Sequence, residues 1–214
     1  MNHKLKLNYK KLIDKMSIKY GNTHGIFMLH RGKNTNNIPK KILLLGRENR
    51  GHGNKLKNTK GYNKPIIGDL MWLKDKYSKS PFWRVIGKAL YRRYDLKYDS
   101  EIFENIYWTN LYKISPVLKK PNTGKSRKIQ KELCVEILKN EILLVKPDYI
   151  IAFTGDWVNS FKNSLGNKSI KQHNKSLNSY DCKLENHSFK LIALPHPQGK
   201  TEEPIIKFIY DNLN

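Results

Sequence analysis

The chain has 214 residues, enough for one α/β domain with a sizeable core and short for two. Lysine and arginine number 41 against 18 acids, a formal net charge of +23, so a folded surface carries a broad positive potential that points first to nucleic acid. Four Trp, twelve Tyr and seven Phe supply core material and exclude wholesale disorder, while two cysteines, Cys134 and Cys182, exclude disulfide scaffolds and zinc ribbons.

In chain order, the first 20 residues read as a helix with Leu12, Ile13 and Met16 on one face and lysines around them. The basic N-terminus never develops the apolar stretch of a secretory signal, and no window approaches the roughly 18 apolar residues of a membrane span, so a cytoplasmic, nucleoid-associated protein without membrane contact is expected. Four short apolar runs read as buried parallel strands: 41–45, 106–108, 149–153 and 190–194. Helical patterns lie at 81–94, 127–145, 155–165 and 203–213, the last opened by Pro204. The basic segment 50–64 and the Lys/Asn-rich segment 163–179 read as surface. Strand alternating with helix predicts a three-layer α/β/α sandwich on a mostly parallel four-stranded sheet. With no repeat, linker or composition break, one domain over 1–214 is expected, with residues 1–38 as a basic helical extension.

Open parallel sheets place ligands at the carboxyl ends of their strands. Those ends carry Gly46-Arg47-Glu48-Asn49-Arg50-Gly51, Thr109-Asn110-Leu111, Thr154-Gly155-Asp156 and Pro195-His196-Pro197-Gln198-Gly199-Lys200. A carboxylate (Glu48), an amide (Asn110) and an imidazole (His196) on such ends make a candidate active site. Competing motifs fail: Gly124-Lys125-Ser126 lacks the first P-loop glycine, position 119 being Lys, and no zincin, zinc-deaminase or Gly-x-Ser-x-Gly pattern occurs. The residues alone leave two other readings open. One is a non-catalytic DNA-binding protein of this fold; the other is a metal-dependent nuclease using Glu48 and Asp156, although the acids are spread along the chain.

The order of these pieces resembles the uracil-DNA glycosylase superfamily. Ile42-Leu43-Leu44-Leu45-Gly46-Arg47-Glu48-Asn49 stands where the family has Gly-x-(Asp/Asn/Ala)-Pro, Thr109-Asn110-Leu111-Tyr112-Lys113 looks like its Thr-Asn-x-x-Lys segment, and Leu194-Pro195-His196-Pro197 matches its His-Pro motif. The layout is nearest the iron–sulfur branch, whose four cysteines are absent here, so the resemblance implies neither cluster nor metal nor other cofactor. It implies a monomeric, monofunctional DNA glycosylase with DNA as partner. In that reading Glu48 stabilises the sugar cation and orients water, and His196 stabilises the departing base. Asn110, with Asn49, reads a pyrimidine edge, and Phe82 stacks on the flipped base. Phosphate contacts fall to Arg47, Arg50, Gln198, Gly199 and Lys200. The chain departs from the family in carrying Asn49 where many relatives have Pro. It has Arg50 where strict uracil enzymes have the Tyr that excludes thymine, which implies tolerance of a C5 substituent.

Overall fold

The computed structural model describes residues 3–21, 23–48, 54–56, 77–97, 100–118, 121–165, 167–172 and 176–213. In chain order these form α1 (His3–Tyr20), β1 (His24–Ile26), β2 (His30–Arg31), β3 (Ile42–Glu48), β4 (Asn54–Lys55), α2 (Pro81–Tyr94), β5 (Tyr107–Tyr112), β6 (Ile114–Pro116), α3 (Gly124–Val145), β7 (Tyr149–Ala152), α4 (Asn159–Lys162), β8 (Asn167–Gln172), β9 (Asn178–Leu184), β10 (His187–Ala193) and α5 (Glu202–Asn212). The larger sheet has seven strands in the order β2-β5-β3-β7-β10-β9-β8, not the four expected. The four expected strands are its consecutive centre. It is parallel where β3, β7 and β10 meet and antiparallel at β9 and β8. This is the expected α/β class, a mostly parallel sheet flanked by helices.

Two readings are corrected. Segment 163–179 is not plain surface, because residues 167–172 pair as β8 with β9. Residues 155–165 are not one helix: two 3₁₀ turns, Gly155–Val158 and Asn163–Leu165, flank the four residues of α4.

Contacts cluster into two compact units, and β3 and β5 run from one into the other. The first comprises the described residues of Met1–His30, Gly46–Gly68 and Thr109–Lys146. Here α1 buries Leu5, Tyr9, Leu12, Ile13 and Met16, a helical stripe packed on α3. Thr123 caps α3 by accepting the Ser126 N–H at 3.1 Å, and Lys146 ends it in the left-handed region before Pro147. A second sheet, β4-β1-β6, is antiparallel where β1 meets each neighbour. The Gln130 side chain both accepts the Ile114 N–H (3.1 Å) and donates to the Ile114 carbonyl (2.9 Å), standing in for a strand partner of β6.

At the centre of this unit lies an ion pair with both side chains fully buried. Lys113 Nζ donates to Glu141 Oε2 and to Thr109 Oγ1, each at 2.6 Å. Thr109 Oγ1 donates to the same carboxylate at 3.0 Å, and the Tyr9 hydroxyl donates to Glu141 Oε1. Burial, and then the Glu141 charge, push the Tyr9 phenol well up, so it stays a donor.

The second unit comprises the described residues of Arg31–Leu45, Asp69–Trp108 and Pro147–Asn214. Its core joins Ile42 and Leu44 of β3, Ile151 of β7 and Ile192 of β10 to the apolar faces of α2 and α5. Pro81 sits at the start of α2, where its missing N–H leaves no helical bond unmade. The first-turn acids of α5 strap it to α2: Glu202 takes Arg84 and Lys88, and Glu203 takes Arg92. The parallel register aligns Leu45 and Ala193 with Ala152, so β7 and β10 end together and β3 runs on past them to Glu48.

Removing one member of a buried pair strands the other charge. Glu141→Leu is therefore expected to cost about 3–5 kcal/mol in urea unfolding, and Lys113→Met combined with Glu141→Leu much less. A double variant as unstable as the single one would show that the pair is not the source of the loss.

Acid should act in two steps. Burial lowers the affinity of His24 and His30 for a proton. Their contribution is complete above the unfolded value of about 6.5 and lost as pH falls through their lower folded values. Hydrogen bonding to Arg84 lowers Glu202, whose contribution is present above about 4.3 and lost below it. Denaturant midpoints from pH 8 to 3 should fall in those two windows, and His24→Asn with His30→Asn should flatten the first.

Candidate active site

In the first unit, β3 continues past Leu45 into Gly46, Arg47 and Glu48. A Cβ built on Gly46 would lie 2.2 Å from Asn110 Oδ1, so glycine is what lets the Asn110 amide rest against the β3 backbone. Asn110 is 2% exposed, and its Nδ2 has no hydrogen-bond partner among the described residues. Glu48 is half-buried. Its Oε1 accepts the backbone N–H of Asn122 at 3.2 Å, while its buried Oε2 has no partner among the described residues. Leaving a buried polar atom unpaired costs about 1–3 kcal/mol. A donor and an acceptor left so in one unit, as His30 Nε2 is too, are open to bonds from a ligand or water.

Asn122 is a site residue that sequence reasoning missed. Its Nδ2 donates to the Ile114 carbonyl at 2.8 Å and its Oδ1 accepts the Ser126 hydroxyl at 2.9 Å. These bonds aim its own N–H at Glu48. The available signal was Asn122-Thr123 shortly before the helical pattern at 127–145, a capping pair.

In the second unit, Phe82 lies in the first turn of α2, half-buried. Its ring stacks on the His196 imidazole (centroids 6.1 Å apart, 29° between planes) and meets Phe153 edge-on at 5.2 Å. Two more rings, Trp83 at 5.0 Å and Trp108 at 6.4 Å, complete the cluster. His196 Nδ1 accepts the Gln198 N–H at 3.3 Å, which places the proton of the neutral ring on Nε2 and makes that nitrogen a donor. The turn closes with the Lys200 N–H on the Pro197 carbonyl at 3.0 Å. Gly199 takes φ 72°, a left-handed conformation natural to glycine. Gln198, Gly199 and Lys200 are exposed.

The structure thus brings Glu48 and Asn110 into one unit and Phe82 and His196 into contact in the other. Arg47 is half-buried on β3, and Asp156 is exposed. Asn49 and Arg50 lie outside the described residues. Among the described residues no three of His, Cys, Asp and Glu are grouped to hold a metal ion. Burial pushes both thiols, Cys134 and Cys182, up to about 12.

Glu48 ends β3, Asn110 lies within β5 and His196 follows β10, so the candidate residues are carried on or just after strands of an α/β protein with a mostly parallel sheet. The family model described as the Uracil DNA glycosylase superfamily matches residues 33–205, most of the chain. The chain belongs to the uracil-DNA glycosylase superfamily. Membership implies DNA glycosylase activity in general, with DNA as the partner. Comparison with curated proteins gives no match.

The contact between Gly46 and Asn110 yields a test. A methyl group in Gly46→Ala collides with the amide oxygen, and a displacement near 1 Å at a reacting centre costs on the order of a hundredfold. Single-turnover base release should fall by about that factor. Unchanged release would mean that Asn110 does not hold the base.

Proposed function

We propose that the protein is a monofunctional DNA glycosylase that excises a flipped non-canonical pyrimidine, a C5-modified base such as a modified cytosine of phage DNA in preference to plain uracil, in base-excision repair or in defence against phage. The observation that carries the glycosylase reading is the pair of buried, unpartnered atoms, Asn110 Nδ2 and Glu48 Oε2. An amide presents a donor and an acceptor together, which suits a pyrimidine edge. A carboxylate suits the cationic sugar of an oxocarbenium-like transition state. The substrate reading is supported by Arg50, which leaves the C5 side without the Tyr of strict uracil enzymes.

In this mechanism the bond from C1′ to the base nitrogen breaks and its electron pair leaves with the base. Nε2–H of His196 donates to the oxygen on which that negative charge grows. Water, oriented by Glu48, adds through oxygen to C1′ and gives its proton to the carboxylate or onward to solvent. The products are the free base and an abasic deoxyribose. A bifunctional enzyme attacks C1′ with an amine, and the Lys113 ammonium in the family's segment is committed to Glu141. Phe82, already stacked on His196, supplies an aromatic face for the flipped base. Arg47, Arg50, Lys200, the Gln198 side chain and the Gly199 N–H hold the phosphates, and the enzyme acts as a monomer.

The test is base release in EDTA. DNAs carrying uracil, 5-hydroxymethylcytosine, its glucosylated form or ordinary bases are incubated with the protein, and abasic sites are scored by alkaline cleavage. A C5-modified base should be released. Glu48→Gln should slow release by about 10²–10⁴-fold and His196→Ala by about 10²–10³-fold. Release of uracil alone overturns the substrate reading. Salt-sensitive binding with no abasic site on any DNA, or magnesium-dependent cleavage of undamaged strands, overturns the glycosylase reading.

A further inference from the structure

Helix α1 lies wholly outside the family match, which begins at residue 33. Its inner face is accounted for by the packing of Leu5, Tyr9, Leu12, Ile13 and Met16. Its outer face carries six exposed lysines, at positions 4, 6, 10, 11, 15 and 19, against one acid, Asp14. At 3.6 residues per turn, Lys4, Lys11, Lys15 and Lys19 fall within an arc of about 80° and along about 22 Å of axis.

This arrangement works against the helix itself. Lys6–Lys10, Lys11–Lys15 and Lys15–Lys19 are like-charged i,i+4 pairs, which repel. The first turn has no acid to complement the positive end of the helix dipole. Among the described residues, none of the six lysines forms an ion pair. Several acids elsewhere on the chain are paired with lysine or arginine, as in Glu202 with Lys88 and Asp211 with Lys207. A row of phosphates relieves the repulsion and is matched in sign and in length.

We infer that the Lys4-Lys11-Lys15-Lys19 face of α1 is a docking surface for the phosphate backbone of duplex DNA, added to the family domain by the N-terminal segment. It takes from the function proposed above only that DNA is the partner, and it requires no excision. The face increases retention on DNA of any sequence, so its signature is in salt dependence.

The test compares the full-length protein with the variant Lys4→Gln, Lys11→Gln, Lys15→Gln, Lys19→Gln. Glutamine keeps good helix propensity, and circular dichroism checks the fold. Binding to a fluorescein-labelled duplex of about 25 ordinary base pairs is followed by anisotropy between about 50 and 200 mM KCl. The magnitude of the log–log salt slope should fall by about 0.9 per lost phosphate contact, roughly 3 to 4 in all, with affinity at 100 mM KCl weakened at least about tenfold. A control, Lys33→Gln, Lys41→Gln, Lys183→Gln, removes exposed charge elsewhere. An equal loss per lysine in the control would reduce the effect to net charge and overturn the inference. An unchanged slope in the α1 variant overturns it as well, and so does such a slope joined to lost binding of phosphatidylserine vesicles, which would assign the face to a membrane. Because the probe carries no modified base, absence of base release leaves this inference standing, and absence of the slope change leaves the glycosylase reading standing.

Discussion

The buried pair of Lys113 and Glu141 is the constraint on which the first unit turns. Taking two charges out of water costs several kcal/mol for each, and their attraction offsets it only when every remaining donor and acceptor is met. Here the carboxylate receives Lys113, Thr109 and Tyr9, so three elements, β5, α3 and α1, are committed to one point. The consequence for the site is directional. Side chains alternate along a strand, so turning Thr109 toward Glu141 turns its neighbour Asn110 to the opposite face. There Gly46 leaves room for its amide. A slip of one residue in β5 would bury the amide against the carboxylate and put a threonine where the amide now stands. The family's Thr-Asn-x-x-Lys segment is thus one physical device: its first and last residues anchor, and the asparagine between them is presented.

Among its described residues the second unit has no fully buried ion pair. Its core is apolar, with Trp83 and Phe103 edge to face at 5.1 Å, and its ion pairs lie at the rim, where Glu202 and Glu203 hold α2 to α5. Exposed pairs of this kind contribute little singly; what they add is register between two helices already joined by burial. That register matters because Phe82 opens α2 while His196 sits shortly before α5. Pro195 and Pro197 restrict the backbone around the imidazole, and one N–H from Gln198 selects its tautomer. The histidine is prepared as a donor by its own turn.

How much of this was legible follows from what sequence patterns encode. Runs such as Ile42 to Leu45 and Tyr149 to Phe153 read as strands because strands covered on both faces must be continuously apolar. Helix α2 was read at 81–94, as found, because proline marks its start and its apolar spacing is helical. Strands β8 and β9 escaped because Asn167–Gln172, at the sheet edge, and Asn178–Leu184, beside it, carry many polar residues, whose pattern matches loop. The segment after β7 read as one helix, yet Gly155 at φ 54° and two 3₁₀ turns break it. For the site, Glu48, Asn110 and His196 were singled out from strand ends and motif order. Asn122 was not, since a backbone N–H has no residue-type signature and its aim depends on bonds to Ile114 and Ser126. Nor was the Lys113–Glu141 pair, whose partners are 28 residues apart in the chain.

The distribution of charge then acquires a logic that the total alone lacks. Acids are few, and many of those described have structural work: Glu141 within the first unit, Glu202 and Glu203 between helices of the second, Asp148 beside Lys40. Each ties elements that apolar contact alone would leave free to slide. Bases outnumber acids by more than two to one, so once the acids are matched the remaining lysines have no internal counterpart. A compact chain with that surplus repels itself, and the repulsion is felt most where lysines are crowded along one helix. A polyanion removes the repulsion and the desolvated apolar core does not, so the chain folds through its acids and meets its partner through its bases.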